Sequence, residues 1–327
     1  MTARTRTSGG TAGDGAWRHL LPADATDATV ELDGHEVRLT NLDRVLWPET
    51  GYTKRQMLEY LLAVAPVLLP HLRGRSITLR RFPEGVDGAG WYQVNCRGRP
   101  EWMAVQEVRG RRGDVLRYCV VESSAALAWV ANLSTIELHP FLGTVDRPDE
   151  PTAIVVDLDP GPPAALLASA RVALETREVL VAAGLYPVVM TSGSIGLHVM
   201  APLEAGHSFA ETKAAVRALA DVLARRLPDL VAPRIERRTR SGRVFVDWVQ
   251  NDESRSTVAP YSLRATPWPL VSTPVSWDEV EGALSAGRAD VLLFPPDTVR
   301  GRIERVGDLF APVLTRVGTV PEIKSAG

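Results

Sequence analysis

The sequence predicts an α/β chain of the α+β kind, bilobed, with a mixed or antiparallel central sheet flanked by helices. Three observations carry this. Apolar, β-branched runs such as Ala153-Ile154-Val155-Val156 alternate with stretches of helical period. The connection Ser192-Gly193-Ser194-Ile195-Gly196 joins two strand-like runs and is too short for a parallel crossover. A chain of 327 residues, 45% hydrophobic and 23% charged, is long enough for one large bilobed unit or two modest domains.

Taken in order, residues 1–27 are rich in Thr, Ser, Gly, Ala and Asp and read as a disordered tail; residues 316–327 read as a second tail, which leaves 28–315 for the fold. Residues 30–39 alternate polar and apolar around Asp33-Gly34, a hairpin pattern. Residues 54–69 place Met57, Tyr60, Leu61, Val64 and Leu68 on one helical face, with Thr53 as N-cap and Pro70 as terminator. A strand over 76–81 and a helix over 125–133 follow, leading into Ile136-Glu137-Leu138-His139. The strand at 154–156, stopped by Pro160-Gly161, precedes a helix over 164–183, strands over 186–191 and 197–202, and a helix over 208–227. A strand-like run, Arg243 to Val249 in sequence, comes next. The Pro-rich stretch 260–274 is expected on the surface, and 278–287 as a short helix.

The formal net charge of −2 excludes a globally basic protein, so any nucleic-acid surface has to be a local patch. Cys96 and Cys119 lack metal-type spacing; no disulfide framework is expected, and a reducing cytoplasm is the predicted compartment. No apolar run is long enough for a membrane span, and the N-terminus has no apolar core of a secretion signal. Lysine occurs only at 54, 213 and 324, so arginine carries most of the positive charge.

The chemistry concentrates at Asp157 and Asp159. Side chains two apart on a strand share a face, roughly 6.5–7 Å apart at the backbone. Two carboxylates there repel unless a hard divalent cation sits between them. Asp247 alternates with apolar neighbours in the same manner, and aspartate is poorly suited to strands. Three carboxylates on two strands can hold two metals for phosphoryl transfer. The same Asp-x-Asp also occurs in glycosyltransferases, in phosphatases with an aspartyl nucleophile, and in plain turns. The turn 191–196 offers backbone N–H groups and hydroxyls for a phosphate, or is simply a glycine-rich hairpin. His139 reads as a phosphate contact or as a strand cap, and His198, two residues past the turn, reads as well as a satisfied core histidine. Trp91-Tyr92 suits base stacking or core packing. Arg240, Arg243 and Arg264 suit a triphosphate clamp or a solvated face.

Together these motifs resemble the polymerase domain of bacterial ATP-dependent DNA ligase D, of the archaeo-eukaryotic primase superfamily, over residues 30–314. Val37-Arg38-Leu39-Thr40-Asn41-Leu42-Asp43-Arg44-Val45-Leu46-Trp47-Pro48 and Thr53-Lys54 are similar to the family's 5′-phosphate-binding segment, which implies that Asn41, Arg44 and Lys54 hold the 5′-phosphate of a DNA end. Arg80-Arg81-Phe82-Pro83 and Trp91-Tyr92-Gln93 resemble its basic and aromatic block. Glu137-Leu138-His139, Asp157-Leu158-Asp159-Pro160-Gly161, Val246-Asp247-Trp248-Val249-Gln250-Asn251 and Val258-Ala259-Pro260-Tyr261-Ser262-Leu263-Arg264 follow in the family's order. The resemblance implies two Mn²⁺ or Mg²⁺ ions on the catalytic residues Asp157, Asp159 and Asp247. It implies nucleotide binding by Arg80, Trp91, Tyr92, His139, Ser192, Gly196, Arg240, Gln250 and Arg264.

The implied activity is template-directed nucleotidyl transfer from NTP or dNTP, filling gaps and extending ends in non-homologous end joining. The implied setting is the nucleoid, with Ku and a separate ATP-dependent ligase as partners of a stand-alone polymerase. A DNA-end-binding module with weak or no synthesis is the alternative reading, and primer-independent synthesis a third. Two positions depart from the family pattern: Ile195 and Val94 stand where relatives carry lysine. Losing one charge-assisted contact costs about 1.5–3 kcal/mol, roughly tenfold to hundredfold in binding.

Overall fold

Strand period decides the architecture. The computed structural model describes residues 3–5, 21–22, 24–110, 113–232 and 241–323. The first lobe comprises β1 (Ala3–Thr5), β2 (Ala28–Leu32), β3 (His35–Leu39), β4 (Val45–Trp47), β5 (Tyr52–Thr53), α1 (Lys54–Leu72), β6 (Ser76–Arg81), β7 (Trp91–Gln93), β8 (Val105–Arg109), β9 (Val115–Val120), α2 (Ser124–Asn132) and β10 (Thr135–Pro140). The second comprises β11 (Ala153–Pro160), α3 (Leu166–Ala182), β12 (Val188–Thr191), β13 (Leu197–Pro202), α4 (Phe209–Arg226), β14 (Val244–Asp247), β17 (Pro274–Val275), α5 (Trp277–Ala286) and α7 (Pro312–Thr315), while β15 (Leu263–Arg264), β16 (Leu270–Val271) and α6 (Pro296–Val306) return to the first lobe, whose core takes in Leu263, Val271 and Val299.

Each lobe has a five-stranded sheet, β10-β6-β9-β8 with β7 on β6, and β14-β11-β13-β12-β17. Every pairing within these two sheets is antiparallel. In the second sheet, Ile154, Val156 and Leu158 of β11, Leu197 and Val199 of β13, and Val244 and Val246 of β14 share one core with α3 and α4. The intervening residues face the other way: Val155 and Met200 enter a separate small core, while Asp157, Asp159 and His198 line a cleft. Period-two alternation thus gives one apolar face and one chemical face.

The helices start where capping chemistry allows. Thr53 and Gln56 form a reciprocal capping box at α1, Ser208 and Glu211 another at α4, and Ser276 and Glu279 a third at α5. Gly287, left-handed at φ 64°, closes α5.

Several expectations need correction. Pro70 does not end α1, which runs to Leu72; Arg73 N donates to Leu69 O at 2.9 Å, and Leu68, His71 and Leu72 are buried. Tertiary packing outweighs the missing N–H there. The stretch 260–274 is not a surface wrap, because Tyr261, Leu263, Val271, Ser272 and Thr273 are buried. The expected N-terminal tail joins the fold at both ends. Ala3–Thr5 pairs in parallel with β2, Leu21 is buried, and Asn41 N donates to Asp27 Oδ1 at 3.0 Å. Residues 6–20 lie outside the described residues. Beyond 316, Gly318 O accepts from Glu204 N at 2.8 Å, and Val320 and Ile323 pack on the second core. Cys96 and Cys119 do form a disulfide, with Cα atoms 5.1 Å apart. Their spacing carried no signal. Cys96 N donates to Arg117 O at 2.7 Å, which lays the segment after β7 along β9. The compartment inferred from unpaired cysteines loses its basis. No helix among the described residues is long and apolar enough to cross a membrane.

Candidate active site

Register brings the three carboxylates together. On β11, Asp157 and Asp159 share a face; the antiparallel pairing with β14 sets Asp247 directly opposite Asp157. The pairing on the other side sets His198 opposite Asp157. One oxygen from each of Asp157, Asp159 and Asp247 lies within 4.8 Å of the others. Like charges opposite one another destabilise a sheet, so the cluster calls for a positive occupant. The donor set is all carboxylate oxygen, suited to a hard divalent ion. Among the described residues, Asp157 Oδ1 is buried without a hydrogen-bond partner, with His198 Nε2 3.2 Å away but outside hydrogen-bonding geometry. The residues fit a divalent cation.

Asp247 is the last residue of β14 and also the N-cap of a 3₁₀ turn, Trp248–Gln250; its Oδ1 accepts from Val249 N at 3.0 Å. That turn aims Gln250, whose Nε2 donates to Asp157 Oδ2 at 3.3 Å. Asn251, fully buried, accepts from Val155 N at 2.9 Å and donates to Val155 O at 2.7 Å, which fixes the turn to β11.

These groups floor a cleft of about 540 Å³. Its other walls carry Tyr92, Val94, Tyr118 and His139 from the first sheet, Ser192 to Gly196 from the β12–β13 turn, and Arg255 and Arg264. In the turn, Gly196 N donates to Ser192 Oγ at 3.1 Å and Ser192 N to Gly196 O at 2.9 Å. Gly193 has φ 69°, and a Cβ there would lie 2.5 Å from Arg264 Cγ. The stem of Arg264 therefore rests on bare backbone beside Ser192. Ile195 is half exposed in the cleft.

The first-sheet wall hangs on one acid. Glu137, 1% exposed, accepts from Arg80 Nη1 at 2.8 Å, Ala265 N at 3.0 Å and His139 Nε2 at 2.8 Å, and has Arg264 Nε at 3.4 Å. Burial pushes this carboxyl up, but the His139 hydrogen bond, Arg264 and the Ala265 N–H outweigh it and leave it at about 2. Burial pushes His139 down, against the pull of Glu137. Asp157 is likewise raised by burial but held below the usual carboxylate range by His198, Gln250 and Arg264. The Tyr92 ring meets His139 edge-on at 5.4 Å, with Arg80 over its face at 5.4 Å.

The LigD primase-polymerase domain model matches residues 53–310. The chain belongs to the LigD primase-polymerase family. It is 35% identical over 280 residues to the multifunctional non-homologous end joining protein LigD of Mycolicibacterium smegmatis, covering 85% of this chain and 36% of that protein. Against the LigD repair protein of Mycobacterium tuberculosis H37Rv it is 35% identical over 306 residues, covering 89% and 39%. The fold matches the polymerase domain from M. tuberculosis ligase D in complex with DNA at a TM-score of 0.78 and 34% identity, covering 86% of this chain and 99% of that one. The chain spans little more than a third of its full-length LigD relatives.

Within this LigD-type fold, the residues singled out in sequence fall into three groups. Asp157, Asp159, His139, Ser192, Gly196, Gln250, Arg264 and Tyr92 line the cleft, with Asp247 joined to them through its carboxylate. Arg80 stands behind that lining, against Glu137 and Tyr92. Trp91 points to the opposite face of β7 from Tyr92, beneath Arg81 at 5.3 Å. Both aromatics are exposed, so core packing does not explain them. Arg240 lies outside the described residues.

Asn41, Arg44 and Lys54 form a separate cluster around the β4–β5 hairpin. Lys54 N donates to Arg44 O at 2.8 Å, Lys54 Nζ donates to Thr40 O at 2.7 Å, and Asn41 is left-handed at φ 52°. Burial and the neighbouring Arg44 push the Lys54 ammonium down to about 8. Sequence reasoning passed over Glu137 as a hub, Asn251 as a clamp, and Tyr118 and Arg255 as cleft walls. An acid inside an apolar strand, Ile136-Glu137-Leu138, was the one signal available for the first of them.

Proposed function

We propose that this chain is a template-directed nucleotidyltransferase that extends and fills DNA ends in non-homologous end joining. The observation that carries the reading is the three-aspartate cluster at the floor of a cleft whose walls carry His139, Ser192, Arg264 and Tyr92. Asp157, Asp159 and Asp247 hold two divalent ions, Mn²⁺ or Mg²⁺, which supply charge neutralisation at the triphosphate and activation of a primer hydroxyl. Arg264 and His139 bind phosphate oxygens from one side, and Ser192 with the backbone N–H groups of its turn from the other. Tyr92 presents its exposed ring to a base.

Asn41, Arg44 and Lys54 grip the 5′-phosphate on the far side of a gap. Ku and a separate ligase are the partners, at the nucleoid. Primer extension on a gapped duplex with a 5′-phosphate and Mn²⁺ tests this. The expected result is extension by wild type, abolished in Asp157→Ala. No extension by wild type, or equal extension by the variant, sinks the proposal.

Ile195 favours a second reading, a DNA-end-binding protein with weak synthesis, because it leaves the phosphate-facing turn without a cation. Binding that depends on the 5′-phosphate without incorporation, in the same assay, selects it.

A further inference from the structure

Tyr261 has φ 65°. A bulky residue in the left-handed region is an outlier that persists only where its surroundings over-determine it. Here three hydrogen bonds do so. Tyr261 N donates to Ser272 O at 2.7 Å, Tyr60 Oη donates to Tyr261 O at 2.9 Å, and Tyr261 Oη donates to Asp308 Oδ1 at 2.6 Å. Asp308 is itself anchored: Oδ2 meets His71 Nε2 at 2.8 Å, and Oδ1 also accepts from Phe310 N at 2.9 Å. Ser272, Tyr60 of α1 and Asp308 of the segment between α6 and α7 thus hold the N–H, the carbonyl and the side chain of Tyr261 as one unit, with His71 and Phe310 fixing Asp308 in turn.

That unit leads directly to the cleft. The next residue, Ser262, accepts from Leu138 N at 3.0 Å, one residue before His139. Then β15 carries Arg264 across Gly193 to the side of Glu137. A rotation at 261 displaces both the phosphate-facing guanidinium and the strand end that holds the histidine.

We propose that Asp308 is a positioning residue for the nucleotide. Through Tyr261 it fixes where Arg264 and His139 stand, although it touches neither. The proposal rests on the polymerase reading of the cleft.

The test compares wild type, Tyr261→Phe and Asp308→Asn in Mn²⁺-dependent primer extension, with direct titration of a nucleoside triphosphate plus Mn²⁺ and thermal melting beside it. Each variant is expected to raise the nucleotide KM and Kd about tenfold with kcat within about twofold of wild type, the pattern of lost ground-state binding. The double variant is expected to match the singles, as for residues acting in one chain of contacts. A lowered melting point with unchanged KM and Kd overturns the proposal, since that is what a purely structural role gives. If either single variant fails to fold, Tyr60→Phe decides; it removes only the hydroxyl on the Tyr261 carbonyl. A KM about threefold higher sustains the proposal, and an unchanged KM overturns it. A wild type that binds nucleotide without incorporating it defeats the polymerase reading alone, and the variants are then judged on Kd. A wild type that neither binds nor incorporates defeats both.

Discussion

The two walls of the cleft are built by opposite means. On the second-lobe wall, the carboxylates stand where strand geometry puts them: two residues apart on β11, with the third opposite on β14. On the first-lobe wall, Arg80, His139 and Arg264 come from different strands and are gathered by one buried acid, Glu137. The acidic wall asks strand geometry for a placement it makes anyway, though Asp157 is buried in it. The basic wall has to draw partners from several strands around one buried charge. The acidic wall can therefore lose a carboxylate and keep its fold, whereas the basic wall has its stability and its function in the same residue.

The largest expected effect tests that contrast. Glu137→Gln leaves Arg80 and Arg264 without their shared counter-charge, and breaking a buried ionic cluster costs about 3–5 kcal/mol. Urea unfolding reads the loss. The wild-type carboxyl is depressed to about 2, below the ordinary 4.5. Its contribution is therefore complete above pH 4.5 and is lost as pH falls toward 2. The variant should lack that part of the acid limb. Equal stability of variant and wild type at pH 7 would show that the hub is not structural.

Asp157→Asn is expected to lower Mn²⁺-dependent extension on the order of 10²–10³-fold, a loss of electrostatic stabilisation, with the melting transition in place. A large fall in melting temperature would erase the distinction between the walls.

Smaller again is Ile195→Lys. Its position is half exposed in the cleft, and an added ammonium should tighten nucleotide binding about tenfold to hundredfold. Nucleotide titration with Mn²⁺ checks it; no gain would mean that the turn does not face the triphosphate.

The smallest effect lies outside the cleft. Lys54 is charged below about 8, so 5′-phosphate binding should weaken severalfold as pH rises through that value and should stay flat in Lys54→Arg. Stability moves in the opposite sense. Between about 8 and the unfolded value of 10.5 the unfolded chain binds more protons, so the fold gains stability with rising pH. A pH-independent wild type would remove Lys54 from the phosphate site.

The same contrast explains what could be read from the sequence. Asp157, Asp159 and Asp247 were legible because period-two alternation is local and an aspartate in an apolar strand is conspicuous. The helix at 54–69 followed from its apolar period and its cap, the central helices from sequence pattern alone, and the 192–196 hairpin from its turn glycines. Glu137 was overlooked because its partners lie on three strands joined only by tertiary register. Trp91 and Tyr92 looked like a pair, yet successive strand residues face opposite sides and only Tyr92 meets the cleft. Cys96 and Cys119 pair because the segment after β7 lies along β9, which spacing does not encode. The buried course of 260–274 shows the same limit: proline content suggested a surface path, while residues 258–263 run buried and deliver Arg264 to the cleft.

Asp247 has a consequence for any mutational survey. Its carboxylate starts the 3₁₀ turn that aims Gln250 at Asp157, so its alanine variant removes one acid of the cluster and loosens a neighbour at once. Single-site losses at 247 and 157 will then sum to more than the double variant shows. Asparagine, which can still accept from Val249 N, separates the two contributions. The apparent hierarchy among the three acids will depend on which substitution is chosen.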